Sequence, residues 1–169
     1  MNSSFLLSMV SKLILEDYTL EDLILSAIKA EQDSERAYNQ IAGQINNAFF
    51  EGKLKFLAGE ERKHKLLLEK MFREKFPERD IRIPDKSPVP LPEIFIPDEN
   101  FSITAIIESA MRAEQAARDF YLSLKGMFPA GSSFSHMLAQ LAAMERAHYI
   151  LLEVEANNMA LIEEFDDLY

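Results

Sequence analysis

Apolar residues recur along most of this chain at alternating steps of four and three, the spacing that gathers side chains on one face of an α-helix. Four segments keep this rhythm. The first is predicted to start at Thr19, an N-cap followed by Glu21 and Asp22 in the first turn, and to run to about Gln44, where Asn46 and Asn47 offer a turn. The second runs from about Ala48 to Phe76 and is ended by Pro77. The third is capped by Ser102 and stops near Gly126. The fourth begins at Ser132 or Ser133 and continues to about Asn157, with a short acidic tail helix after it. Residues 77–101 break the rhythm, because Pro77, Pro84, Pro88, Pro90, Pro92 and Pro97 make this stretch an extended connector with polyproline character.

Tight links join helices 1 and 2 and helices 3 and 4, so each pair must fold as an antiparallel hairpin. A connector of about 25 residues at up to ~3.3 Å each can travel the whole length of such helices. The predicted fold is therefore all-α: an antiparallel four-helix bundle with a long proline-rich crossover between helices 2 and 3, one domain over residues 1–169 with its core at about 19–157. Two separate hairpin domains would each leave a seam half exposed. Exchange of hairpins between two subunits stays open at this point.

The inward stripe of helix 1 reads Leu20, Ile24, Ala27, Glu31, Ser34, Tyr38 and Ile41, and that of helix 2 reads Phe50, Leu54, Leu57, Glu61, His64, Leu68 and Met71. Helix 3 gives Ile103, Ile107, Ala110, Glu114, Ala117, Tyr121 and Leu124, and helix 4 gives Phe134, Leu138, Leu141, Glu145, His148 and Leu152. The polar interruptions all fall mid-stripe. Burying an ionised carboxylate costs several kcal/mol unless a positive charge compensates, and no lysine or arginine lies on these stripes. Arg62 and Arg146 project roughly 100° away from the neighbouring glutamates. Two divalent cations would neutralise the four carboxylates, and a glutamate and a histidine three residues apart share a helical face on which both can reach one metal.

The 169 residues hold 18 basic and 28 acidic side chains, a net charge of −10. That sign argues against nucleic acid and anionic lipid as partners. Cysteine is absent, so a metal must be held by oxygen and nitrogen. The apolar run Phe5–Leu15 has no basic residue before it, is interrupted by Lys12 and is too short to cross a bilayer, so it reads as mature chain and the protein as soluble and cytoplasmic.

The two halves repeat each other. Ser26-Ala27-Ile28-Lys29-Ala30-Glu31-Gln32 returns as Ser109-Ala110-Met111-Arg112-Ala113-Glu114-Gln115, with Tyr38 and Tyr121 each seven residues past the glutamate. The stretch from Leu57 through Glu61 and His64 to Glu69 likewise aligns with that from Leu141 through Glu145 and His148 to Glu153. A two-fold related pair of hairpins would bring two equivalent half-sites face to face. His136 has no partner acid in place and reads as surface or capping, and the acidic segment 163–167 reads as a solvated tail.

At these residues the chain resembles the ferritin-like superfamily and, within it, the rubrerythrin-like di-iron carboxylate proteins, over about residues 19–157. The resemblance implies Glu31 and Glu114 as terminal carboxylates, Glu61 and Glu145 as bridging carboxylates, and His64 and His148 as one nitrogen ligand per metal, with Tyr38 and Tyr121 orienting the carboxylates. It implies two iron ions, with manganese or zinc as other occupants that oxygen-rich ligation accepts. It also implies dioxygen or hydrogen peroxide as reactant and an oxidoreductase or ferroxidase activity in a homodimer or higher homo-oligomer. Two departures stand out. The cysteine-ligated iron domain of rubrerythrin proper is missing, so electrons would come from an external donor. The extra glutamate that rubrerythrins carry three residues after the helix 3 ligand is Ala117 here, with Ser34 at the matching place in helix 1. Iron storage or delivery without dedicated turnover is the alternative reading, and a metal that only staples the helices is a third.

Overall fold

Where the backbone leaves a helix, its first N–H groups need acceptors, and this chain supplies them in its side chains. The Thr19 hydroxyl accepts from the Asp22 backbone N–H at 3.1 Å while the Asp22 carboxylate accepts from the Thr19 N–H at 3.2 Å, a reciprocal cap that starts α1, Leu20–Ala42. The Asn47 side chain accepts from the N–H groups of Phe49 and Phe50 and starts α2, Ala48–Lys75. The remaining helices are α3, Ile103–Lys125, and α4, Ser133–Asp166. Between them Gly131 adopts a φ of 79°, a left-handed turn open to glycine. The Ser132 hydroxyl then accepts from the Ser135 N–H at 3.2 Å.

The computed structural model describes residues 15, 17–94, 96 and 103–166, with side chains to residue 159. The predicted Ser102 cap, the end of the connector at 97–101 and all but Leu15 of the apolar run 5–15 lie outside the described residues, as do the side chains of the acidic segment 163–167. Helix limits agree with the sequence expectation to within two residues except at the end of α4. No separate tail helix forms: α4 continues unbroken past Asn157 to Asp166. The stretch 133–166 contains neither glycine nor proline, and the modest helix cost of two asparagines does not outweigh an inward stripe that runs on through Leu152, Glu155 and Met159.

α1 packs along α2 and α3 along α4, and the two hairpins meet through α1 against α3 and α2 against α4. Both apolar clusters of the core draw on all four helices, so the hairpins share one interior. One cluster gathers Leu23, Ile24, Leu68, Met71, Phe72, Tyr121, Leu124, Leu138 and Leu141, and the other gathers Tyr38, Ile41, Phe50, Leu54, Leu57, Ile106, Ile107, Ala110 and Leu152. Between these clusters, at mid-height, lie the polar residues of the stripes. The connector runs the length of the bundle, with Val89 packed into the first cluster and Ile94 into the second. Its Val89 N–H donates to the Ser26 hydroxyl at 3.4 Å. Arg79 is ion-paired with Glu21 at its start.

A buried leucine truncated to alanine loses both its transfer energy and its packing. Leu57→Ala, at a side chain with no exposed surface, is expected to lower stability by about 2–5 kcal/mol, whereas its neighbour Phe56, 53% exposed, should cost within ~0.5 kcal/mol when truncated. Urea unfolding of the two variants checks the contrast, and equal losses would contradict this helix register.

Candidate metal centre

Each helix contributes to the polar layer at its own midpoint: Glu31 from α1, Glu61 and His64 from α2, Glu114 from α3, Glu145 and His148 from α4. None of the six is more than 4% exposed. The sequence grouped these residues by register, and the fold brings all six together. His64 Nδ1 stands 3.1 Å from Glu61, 2.9 Å from Glu145 and 3.6 Å from Glu31. His148 Nδ1 stands 3.2 Å from Glu61, 3.3 Å from Glu145 and 3.5 Å from Glu114. Glu61 and Glu145 are thus shared by both imidazoles, while Glu31 belongs to His64 and Glu114 to His148. The two rings stack with centroids 5.2 Å apart.

Tyr38 and Tyr121 cross between the hairpins. The Tyr38 hydroxyl donates to Glu114 and the Tyr121 hydroxyl to Glu31, each tyrosine holding the carboxylate of the other half. This reciprocity fixes α1 and α3 as antiparallel. Burial, reinforced by the charge of the partner carboxylate, pushes both phenols well above their ordinary range and keeps them as donors.

The electrostatics follow from crowding acids in an apolar interior. Burial, then the charges of Glu145 and Glu61, drives the Glu31 carboxyl well above the usual carboxylate range, and burial followed by the charge of Glu61 does the same to Glu114. Burial also opposes ionisation of Glu61, but its contacts with His148 and His64 prevail and hold it well below that range. For the imidazoles burial works against charge, yet the surrounding carboxylates win: His148 is pushed up to about 12 and His64 is raised still further.

The layer nevertheless has donor atoms to spare. Glu61 Oε1, both carboxylate oxygens of Glu145, His64 Nε2 and His148 Nδ1 are buried without a hydrogen-bond partner. Native interiors rarely tolerate orphaned polar atoms, and here those of Glu61, Glu145 and His148 lie together, with His148 Nδ1 3.2 Å from Glu61 and 3.3 Å from Glu145. One ligand atom from each of Glu61, His64, Glu145 and His148 lies within 4.8 Å of the others, a group that could hold metal ions. Donors around an ion with bonds of about 2.1 Å sit ~3 Å apart at right angles, a spacing close to the 2.9–3.6 Å between the imidazole nitrogens and their carboxylates. No lysine or arginine forms an ion pair with the four carboxylates among the described residues.

Outside the layer, His136 is exposed, as the sequence suggested. The sequence reading passed over Glu155, 2% exposed and paired at 3.5 Å with Lys53 of α2. Its position seven residues past His148 was the available signal. A cavity was also invisible in sequence. It reaches from the crossover residues Leu91, Glu93 and Ile94 down to Glu31, Glu61, Glu114 and Glu145, with the partly buried pair Lys29–Asp33, 2.6 Å apart, at its side.

No helix among the described residues is long and apolar enough to cross a membrane. None of the curated proteins matches the chain. A solved structure of a hypothetical protein from Pyrococcus furiosus is similar to it, with 32% sequence identity and a TM-score of 0.74, the match covering 85% of this chain and 91% of that one. The sequence model of the rubrerythrin family matches residues 22–156, nearly the whole bundle and all six polar residues of its central layer. With a four-helix core, two Glu-x-x-His helices facing each other and this match, the chain belongs to the rubrerythrin family of the ferritin-like superfamily.

Proposed function

We propose that the central layer holds two iron ions and that the protein is an oxidoreductase or ferroxidase acting on dioxygen or hydrogen peroxide. The observation that carries this reading is the division of the carboxylates, with two shared by both imidazoles and one private to each. Glu61 and Glu145 would bridge the ions, Glu31 and Glu114 would each close one coordination sphere, and His64 and His148 would supply one nitrogen apiece. When bound, two neighbouring redox-active ions supply two electrons to an O–O bond.

The chain's own residues do the rest. Tyr38 and Tyr121 fix the orientation of Glu114 and Glu31 by donating to one oxygen of each, which leaves the other oxygen for coordination. The apolar clusters above and below the layer shield it from bulk solvent along the bundle axis, which strengthens the carboxylate charges. The two oxygens of Glu145, 2.9 Å from His64 Nδ1 and 3.3 Å from His148 Nδ1, are placed so that each could share a cation with one imidazole. With no cysteine in the chain, reducing equivalents come from an external donor. A cytoplasmic setting and a homodimeric or larger assembly complete the proposal.

Anaerobic ferrous titration followed by addition of peroxide or oxygen tests it. Uptake that stops at two metals per chain with repeated peroxide or oxygen consumption is expected, and uptake far beyond two without turnover would establish storage instead. Combining Glu61→Ala with His148→Ala is expected to abolish stoichiometric binding, read by elemental analysis after desalting, and retention of two ions by the double variant would refute the ligand assignment. Metal uptake also has a proton count. With both imidazoles raised far above their ordinary range by the surrounding carboxylates, the metal-free layer holds their protons near neutrality, and coordination must expel them. Affinity for a divalent ion should therefore fall as pH is lowered, about tenfold per unit for each proton released. Calorimetry in two buffers of different ionisation enthalpy checks this, since a heat independent of buffer would mean that no proton leaves.

A further inference from the structure

Four of the six polar residues line the cavity beneath the crossover, and they are the carboxylates; the imidazoles, on α2 and α4, do not line it. This cavity therefore meets the layer on its carboxylate side. On the α1 and α3 side, the walls at this level are small side chains in two-fold related places: Ala30 and Ser34 on α1, Ala113 and Ala117 on α3, 83 residues apart in each case. A bulky residue at any of the four would fill the space that separates the connector from the carboxylates. The connector itself breaks the symmetry by crossing the opening, with buried Ile94 on one side and exposed Glu93 at the mouth. The open volume, about 40 Å³, has room for about three water-sized species at ~10–15 Å³ each. At its floor lie the partnerless oxygens of Glu61 and Glu145, both residues no more than 1% exposed.

We propose that this cavity is the portal through which divalent cations reach the central layer, and that Ser34 and Ala117 set its bore. The proposal rests on the metal reading above and adds to it a route and two residues that control passage without binding metal. The physical logic is a graded replacement of water. A cation arriving at a chain of net charge −10 meets the exposed Glu93 carboxylate, then the partly buried Lys29–Asp33 pair, passes small walls that oppose it with little steric bulk, and exchanges water for the orphaned oxygens at the floor.

The test follows Co²⁺ uptake by the apo protein in a stopped-flow instrument, through the visible absorption of the coordinated ion, which requires no turnover. Ala117→Leu and, separately, Ser34→Leu are expected to slow uptake at least tenfold while the final stoichiometry and spectrum stay those of the wild type. Ala117→Ser should load at the wild-type rate. Ala147→Leu, on the exposed face of α4 beside His148, serves as the opposite-side control and should also load normally. Wild-type rates in both leucine portal variants overturn the proposal, as does slowing by Ala147→Leu equal to theirs. If one portal variant fails to fold, as circular dichroism would show, the other decides. A changed spectrum or stoichiometry in the folded portal variants would assign these residues to the coordination sphere and also overturn it. Failure of the wild-type chain to bind Co²⁺ at all would remove the metal reading, a result distinguishable from unimpeded uptake by the variants.

Discussion

Four carboxylates buried at one height in an apolar bundle are the constraint around which the rest of this structure is arranged. Each would be costly alone, and together their mutual repulsion makes them costlier. The protein confines that cost to a single layer, flanks it with clusters of leucine, isoleucine and phenylalanine drawn from all four helices, and places two imidazoles and two phenols against the acids. The resulting interior is stable in outline and unfinished in detail. Buried oxygens of Glu61 and Glu145 and a nitrogen of His148 still lack hydrogen-bond partners, which is where a positive charge would complete it.

Much of this was legible in the sequence because helical periodicity is read directly from apolar spacing, and a glutamate that falls in register with leucines is conspicuous. Internal duplication then tied Glu31 to Glu114 and the Glu61–His64 pair to Glu145–His148 before any geometry was known. What periodicity could not supply was pairing across the hairpins. That Tyr38 reaches Glu114 rather than a residue of its own half depends on helix direction and rotation, which only the assembled bundle specifies. Glu155 escaped notice because the inward stripe of helix 4 was followed only to Leu152, and a glutamate three residues further on resembles the solvated acids beside it, such as Glu153. Cavities are likewise silent in sequence, since they consist of what four separated small residues fail to fill.

The crossover is more than a tether. Its prolines keep it extended, so it contributes isolated apolar anchors, Val89 to one cluster and Ile94 to the other, without adding a fifth helix to the core. The Ser26 hydroxyl fixes its path by accepting from the Val89 N–H, and Ser26 is the first residue of the duplicated motif that carries Glu31. One repeat therefore both supplies a layer carboxylate and anchors the strap beside it. An internally symmetric bundle acquires, from its connector alone, a front and a back.

The crossed tyrosines have a bearing on how such a molecule can change over time. Each hairpin holds a carboxylate whose orientation is set by a hydroxyl from the other hairpin, so neither half carries a self-sufficient set of groups. A solitary hairpin could reproduce both contacts only by docking against an identical copy in the antiparallel sense. Once two copies are fused into one polypeptide, the halves are free to diverge at their surfaces, as Lys29–Asp33 and its unmatched counterpart at Arg112 and Ala116 already do. At the crossing points they remain bound to a common inheritance.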